Sequence, residues 1–183
     1  MPLNIDDAAK RTLAQVTADL RSARLDAGIS QNALSAGLPV RGRAISEWEN
    51  GAMEPTLCHL IQWARELDRR LVIVGPDGSL RNAPFRSRAR EPWESFERRR
   101  LASPLRIRRE TLGMAQAGLG QLIGVSRDSI SRWELVRVAP RPIALIVWAQ
   151  KLKCSVAVRP VTPPRSGRAD REPLQARTAR GTD

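Results

Sequence analysis

The side chains able to do covalent or metal chemistry are few. His59 is the single histidine, and Cys58 and Cys154 are the only cysteines in 183 residues. No metal-ligand spacing surrounds these three, and two cysteines do not make a disulfide framework. No Ser/His/Asp arrangement, carboxylate pair or glycine-rich phosphate loop assembles, and one histidine leaves little for acid–base transfer. The expectation is a protein without catalysis, cofactor or metal. What remains is charge: 31 Lys+Arg against 19 Asp+Glu gives +12. Only Lys10, Lys151 and Lys153 are lysines, so 28 of the cations are arginines. That balance selects a polyanionic partner, nucleic acid before membrane, because clustered cations draw phosphates. The arginine bias also suits a GC-rich genome. The longest apolar run, Ile143 to Ala149, is too short to span a bilayer. The N-terminus shows no basic-then-apolar signal pattern. The expected location is cytoplasmic, associated with the nucleoid.

The elements that would position these charges come in two sets. Sliding the chain against itself by 85 residues aligns Leu20–Ile73 with Leu105–Val158 without a gap, giving 17 identities over 54 positions. The identities include Arg24/Arg109, Gln31/Gln116, Ile45/Ile130, Trp48/Trp133, Glu49/Glu134 and Trp63/Trp148. The chain is therefore a duplication. In the first unit, Leu13, Val16, Leu20 and Leu25 mark a helix ending near Gly28. Ser30 caps a short second helix, Gln31 to Ala36. A third runs from about Gly42 to Glu49, and a fourth follows Pro55. The second unit repeats this over Leu105–Leu112, Gln116–Ile123, Arg127–Glu134 and Ile143–Leu152. Both units end in β-prone runs, Leu71–Val74 and Val156–Val158.

The spacing predicts a mainly α protein of two four-helix domains, each followed by a short strand. Residues 1–74 form the first domain and 104–159 the second. Residues 75–103 read as an Arg-rich linker in which Pro92-Trp93 opens a helix to about Leu101. Ser103-Pro104 then caps and starts the next helix. Residues 160–183 read as a disordered basic tail, poor in large apolar residues. Two lone edge strands would be exposed, so they are expected to pair with each other within one chain.

A helix-turn-helix needs a small residue in the second helix, a turn, and an apolar anchor in the third. Gly120, Gly124-Val125 and Ile130 supply these in the second unit; Ser35, Pro39-Val40 and Ile45 do so in the first. The run Gln116-x-x-Leu119 … Gly124-Val125-Ser126-Arg127-x-x-Ile130-Ser131-Arg132-Trp133-Glu134 resembles the helix-turn-helix domains of the phage Cro/CI repressor family. Ser30-Gln31-x-x-Leu34-Ser35 and Ile45-Ser46-Glu47-Trp48-Glu49-Asn50-Gly51 carry the same resemblance. It implies double-stranded DNA as partner. Base edges would be read by Arg41, Arg43 and Glu47 in the first unit and by Ser126, Arg127, Asp128 and Arg132 in the second, with Glu47 and Asp128 reading equally well as surface charges or helix-dipole partners. Arginine can grip guanine and a carboxylate can accept from cytosine. Gln31, Gln116, Ser46 and Ser131 would touch phosphates. Arg24 and Arg109 either join them or pair with Glu49 and Glu134 inside each unit.

Two departures qualify the first unit. Pro39 stands where the turn wants a glycine at positive φ, so Gly37 would end the second helix early. Residues 1–74 carry nine cations and nine anions, whereas 105–158 carry nine cations and three anions. The second unit should supply more phosphate affinity. The tryptophans read as core, His59 and the cysteines as ordinary helix and strand-edge residues, and Arg98-Arg99-Arg100 as a solvated helix face. The reading is a repressor acting by operator occupancy, with an asymmetric operator and a pseudo-dimeric monomer or weak dimer. Two alternatives stay open. One is an antitoxin-like protein bound to a toxin or other protein partner; the other is non-specific nucleoid packing.

Overall fold

In the computed structural model, residues 2–81 and 86–161 are described. The first unit comprises α1 (Asp7–Asp26), α2 (Gln31–Ala36), α3 (Gly42–Glu49), α4 (Leu57–Glu66) and β1 (Arg69–Val74). The second comprises α5 (Trp93–Thr111), α6 (Gln116–Ile123), α7 (Arg127–Glu134), α8 (Pro142–Lys151) and β2 (Ser155–Pro160). Side-chain caps start the helices where the sequence supplies them. Asp6 accepts from Ala9 N at 2.7 Å, Ser30 from Ala33 N at 3.0 Å and Thr56 from His59 N at 3.2 Å. Of the predicted tail, 160–183, Pro160 instead ends β2 and Val161 N donates to Asp68 O at 2.9 Å, while residues from 162 onward lie outside the described residues.

The strands pair antiparallel within the chain, as expected. The register carries more information than the pairing does. Val72 lies opposite Ala157, and these are the residues the 85-residue repeat makes equivalent. Leu71↔Val158 and Ile73↔Val156 are likewise exchanged by the repeat. A pseudo-two-fold axis therefore passes through the Val72–Ala157 pair. The helices obey it: α1 packs on α8 and β2, while α5 packs on α4 and β1. Leu71, Ile73, Val156 and Val158 turn one sheet face into a common core with Leu20, Ile45 and Trp63 of one unit and Leu105, Ile130 and Trp148 of the other. The four repeated tryptophans are all buried. Trp48 tilts against Trp63 with centroids 5.8 Å apart, and Trp133 against Trp148 at 5.9 Å. The two units are thus one fused body rather than beads on a linker.

Two expectations need correction. Ser103-Pro104 does not start a helix; α5 runs unbroken from Trp93, with Pro104 inside it. A proline there forfeits the bond to the Arg100 carbonyl. Burial of Glu97, Arg100, Leu101 and Ala102 before it, and of Leu105 and Arg109 after it, holds the helix through. The segment 93–103 consequently mirrors the start of α1. Nor is Arg98-Arg99-Arg100 a solvated face. Consecutive residues point 100° apart around a helix, and α5 is packed on more than one side. Arg98 donates to Val136 O at 2.7 Å, and Arg99 binds Glu91 at 2.7 and 2.8 Å. Arg100, 4% exposed, pairs with buried Glu97 and donates to Leu71 O on the outer edge of β1. Burial pulls the Arg100 pKa down, against the opposing pull of Glu97. The same β1 edge takes Arg81 N on Ile73 O at 2.9 Å, so it is closed to further strands.

Candidate nucleic-acid interface

Each third helix is fixed by the same polar network. In the first unit Arg24 Nε donates to Glu49 Oε1 at 2.6 Å and Nη2 to Oε2 at 2.8 Å. Gln31 Nε2 donates to Glu49 Oε2 at 2.8 Å, and Arg24 Nη1 to Ile29 O at 2.7 Å. In the second, Arg109 reaches Glu134 at 2.6 and 3.0 Å, Gln116 reaches it at 2.8 Å, and Arg109 Nη1 reaches Met114 O at 2.7 Å. The carboxylate side chains are 4% and 1% exposed. One network therefore joins the end of the first helix, the start of the second and the end of the third. Arg24 and Arg109 are internal partners, which closes the alternative left open by the sequence.

Electrostatics follow the geometry. Burial alone would push the Glu49 carboxyl up. Hydrogen bonds from Arg24 and Gln31, with the charges of Arg24 and Arg21, outweigh burial and hold it below the ordinary carboxylate range. The bond to Glu49 raises Arg24, and the bond to Glu134 raises Arg109. Both arginines remain charged.

Outward from this network lie the expected reading faces. Arg41 is the exposed N-cap of α3, and Arg43, one turn before Glu47, pairs with it at 2.9 Å. On α7, Arg127 is exposed at the first position, and Asp128 pairs with Arg132 at 2.7 Å. Asp128 also sits in the first turn, where the helix dipole favours a carboxylate. Ser126 Oγ is the N-cap, accepting from Ser129 N at 3.1 Å. Ser46 and Ser131 are half-buried on α3 and α7. Each unit thus presents guanidinium and carboxylate groups one turn apart on an exposed helix face.

The turns into these helices differ. In the second unit Gly124 closes α6 in the left-handed region at φ 85. A Cβ on Gly120 would meet Val125 O at 2.7 Å, so α7 crosses α6 closely only because position 120 lacks a side chain. In the first unit α2 stops at Ala36, and Gly37 is right-handed at φ −83. Pro39 forces that early stop and a longer turn.

Sequence reasoning missed the cross-bracing. Asn4 N donates to Ile123 O at 2.7 Å and Asn4 Nδ2 to Leu122 O at 3.2 Å, so the N-terminal arm caps α6 of the other unit. Glu54 accepts from Ile143 N at 2.9 Å and from Arg141, capping α8 across the dyad. No local signal marks Asn4 or Glu54, because their partners lie 118 and 89 residues away. Cys58 Sγ donates to Glu94 at 2.7 Å across the same seam. Burial, then that contact, pushes its pKa up to about 11. Among the described residues no group of three or more His, Cys, Asp or Glu could hold a metal.

Two four-helix units, each with its second helix packed on a third that carries an exposed polar face, define a tandem helix-turn-helix protein. A helix-turn-helix family model matches residues 20–74 and 105–158. The chain belongs to the helix-turn-helix family, in its Cro/CI-type DNA-binding branch. It is 39% identical over 51 residues to "Repressor protein C2" of Salmonella phage P22. That match covers 28% of this chain and 24% of the phage protein, so the chain spans about a quarter of the relative's length. No solved structure matches. Among the described residues no helix is long and apolar enough to cross a membrane.

Proposed function

We propose that this chain is a sequence-specific regulator that represses transcription by occupying an asymmetric operator, one chain per site. The carrying observation is the strand register. By placing Val72 opposite its own repeat equivalent, it gives two different reading helices the two-fold frame that a dimer gives two identical ones. Arg41, Arg43 and Glu47 read one half-site; Arg127, Asp128 and Arg132 read the other. Arginine grips guanine O6 and N7, while its carboxylate neighbour both orients it and accepts from cytosine. Ser126 sets the α7 start and adds a hydroxyl at the same edge. Gln31 and Gln116 each keep a second amide N–H for a phosphate, and Ser46 and Ser131 flank them.

The half-sites should be centred about 10 bp apart, and the footprint should cover about 12–20 bp. Selection from random DNA, followed by footprinting and stoichiometry, tests this. One chain on a non-palindromic site supports the reading. Two chains on a clean palindrome refute it, because one unit would then serve association instead of reading.

A further inference from the structure

The dyad equates two surface grooves that the sequence has made opposite. In the first unit a groove of about 410 Å³ runs between α1 and the α3–α4 connection. In the second the equivalent space, between α5 and the α7–α8 connection, is about 10 Å³. Three exchanged positions explain this. Arg98 replaces Leu13 and reaches across to Val136 O at 2.7 Å; Val136 replaces Gly51, and Val138 replaces Met53. The second groove is plugged from its own chain. The first is left open, with Ile5 39% and Met53 52% exposed on its walls.

The open groove has a defined chemistry. Along α1, Lys10, Leu13, Ala14, Thr17, Ala18 and Arg21 fall on one stripe, at steps of three or four residues. The middle of the stripe is mainly apolar and each end is an exposed cation. Lys10 to Arg21 spans about 16 Å, the length of three helical turns. The acids along the wall are already engaged: Glu49 by Arg24 and Gln31, Glu54 by Arg141 and the α8 N-terminus. Lys10 pairs with the exposed Asp7 at 3.1 Å, and Arg21 lies 4.0 Å from Glu49, whose oxygens Arg24 and Gln31 already hold; both side chains stay more than half exposed and open to an incoming acid. A second copy of this chain, at +12, brings no excess of acids to meet these cations. The segment 162–183 has five cations to three anions and one large apolar residue, Leu174, so it does not match either.

The geometry points to a docking groove for an amphipathic helix of another protein, about three turns long, apolar on one face and acidic at both ends. The apolar floor does not suit DNA, and the α3 N-terminus that carries Arg41 and Arg43 is not among its walls. The partner would occupy the first unit alone, since the second has no vacancy.

The test uses the full chain and two synthetic amphipathic helical peptides of about four turns. They share leucines along one face; one carries Glu at both ends and the other Lys. The acidic peptide should bind at least tenfold more tightly in fluorescence anisotropy. It should shift the amide resonances of Ala14, Ala18, Gly51 and Met53. Leu13→Arg, which installs the plug of the second unit, should weaken binding at least tenfold. Lys10→Glu should narrow or reverse the preference between peptides. Both variants should keep the native circular dichroism and DNA affinity. Binding of neither peptide, equal binding of both, or binding indifferent to Leu13→Arg overturns the proposal. Displacement of the peptide by a non-specific DNA duplex also overturns it, and would mark the groove as a phosphate surface.

Discussion

The two helix-turn-helix units hold their third helices with nearly identical hardware and deliver them by different routes. Arg24–Glu49–Gln31 and Arg109–Glu134–Gln116 match to within 0.2 Å in every corresponding bond. Around that shared centre almost everything exposed has diverged. One turn is short and left-handed at Gly124; the other is longer and right-handed at Gly37. One unit is neutral and the other cationic. The lesson lies in where difference is tolerated. A buried carboxylate must keep its arginine, because an unpaired buried charge is destabilising by several kcal/mol. A turn or a surface charge can change at a fraction of that. Duplication followed by divergence has left the core symmetric and the exposed faces of α3 and α7 unlike.

Removing a buried carboxylate should have the largest effect. Glu134→Ala leaves buried Arg109 with only the half-exposed Glu110, 3.5 Å away, as counter-charge and should destabilise by about 3–5 kcal/mol. Glu49→Ala should do the same in the first unit. Because one core serves both units, each variant should unfold in a single transition in urea. Separate transitions for the two units would break the claim that they are fused.

Next comes the turn. Gly124→Ala places a side chain at φ 85, and its Cβ would overlap Pro2 O of the arm. Backbone strain of that kind costs about 1–3 kcal/mol. Deleting residues 1–5 beforehand should recover the part due to the arm and leave the part due to strain. Pro39→Ala, at the equivalent position of the first unit, should change thermal stability by less than about 1 kcal/mol.

The reading faces sharpen the contrast. Arg132→Ala or Arg127→Ala should weaken specific DNA binding by about 1–3 kcal/mol and relax preference at one or two base pairs. Arg43→Ala should weaken it less, because the neutral first unit supplies less of the phosphate affinity. Gln116→Ala should weaken all sequences alike. Competition binding against random DNA separates these outcomes; equal losses on both DNAs would falsify the docking assignment.

The smallest effect is with pH. The Glu49, Glu110 and Asp77 carboxyls all sit below their ordinary values, and bonding to Arg99 brings Glu91 down to about 2. A depressed folded-state pKa contributes stability above the unfolded value, near 4 for carboxyls. Stability should therefore be flat above about pH 5. It should decline as pH falls from there toward 2, as acid titration by circular dichroism would show. Glu49→Gln should flatten the upper part of that decline.

Much of the architecture was written in local patterns. The 85-residue repeat, the Ser30 cap, the Gly28 and Gly124 turns and the buried tryptophans follow from spacing and from residue types that admit few conformations. The third helices and their exposed arginines and carboxylates followed from the same pattern. Pro39 even announced that its turn would differ. The sequence could not show that α5 would run through Pro104, since local propensity argues against it and only burial on both sides overrides it. Arg98 and Arg100 looked like solvated cations because the carbonyls that draw them inward, at Val136 and Leu71, lie 38 and 29 residues away, although Glu97 also holds Arg100 from within α5.

The sequence by itself determined that this protein is a duplicated helix-turn-helix chain with two unlike third-helix faces, because periodicity, caps and small residues act over a few positions. Tertiary structure alone decided the dyad, the exchange of α1 and α5 between units, the arm on α6 and the open groove beside α1. These depend on which repeat equivalents meet across the sheet. That meeting is set by closing a common core, not by any propensity a single segment carries.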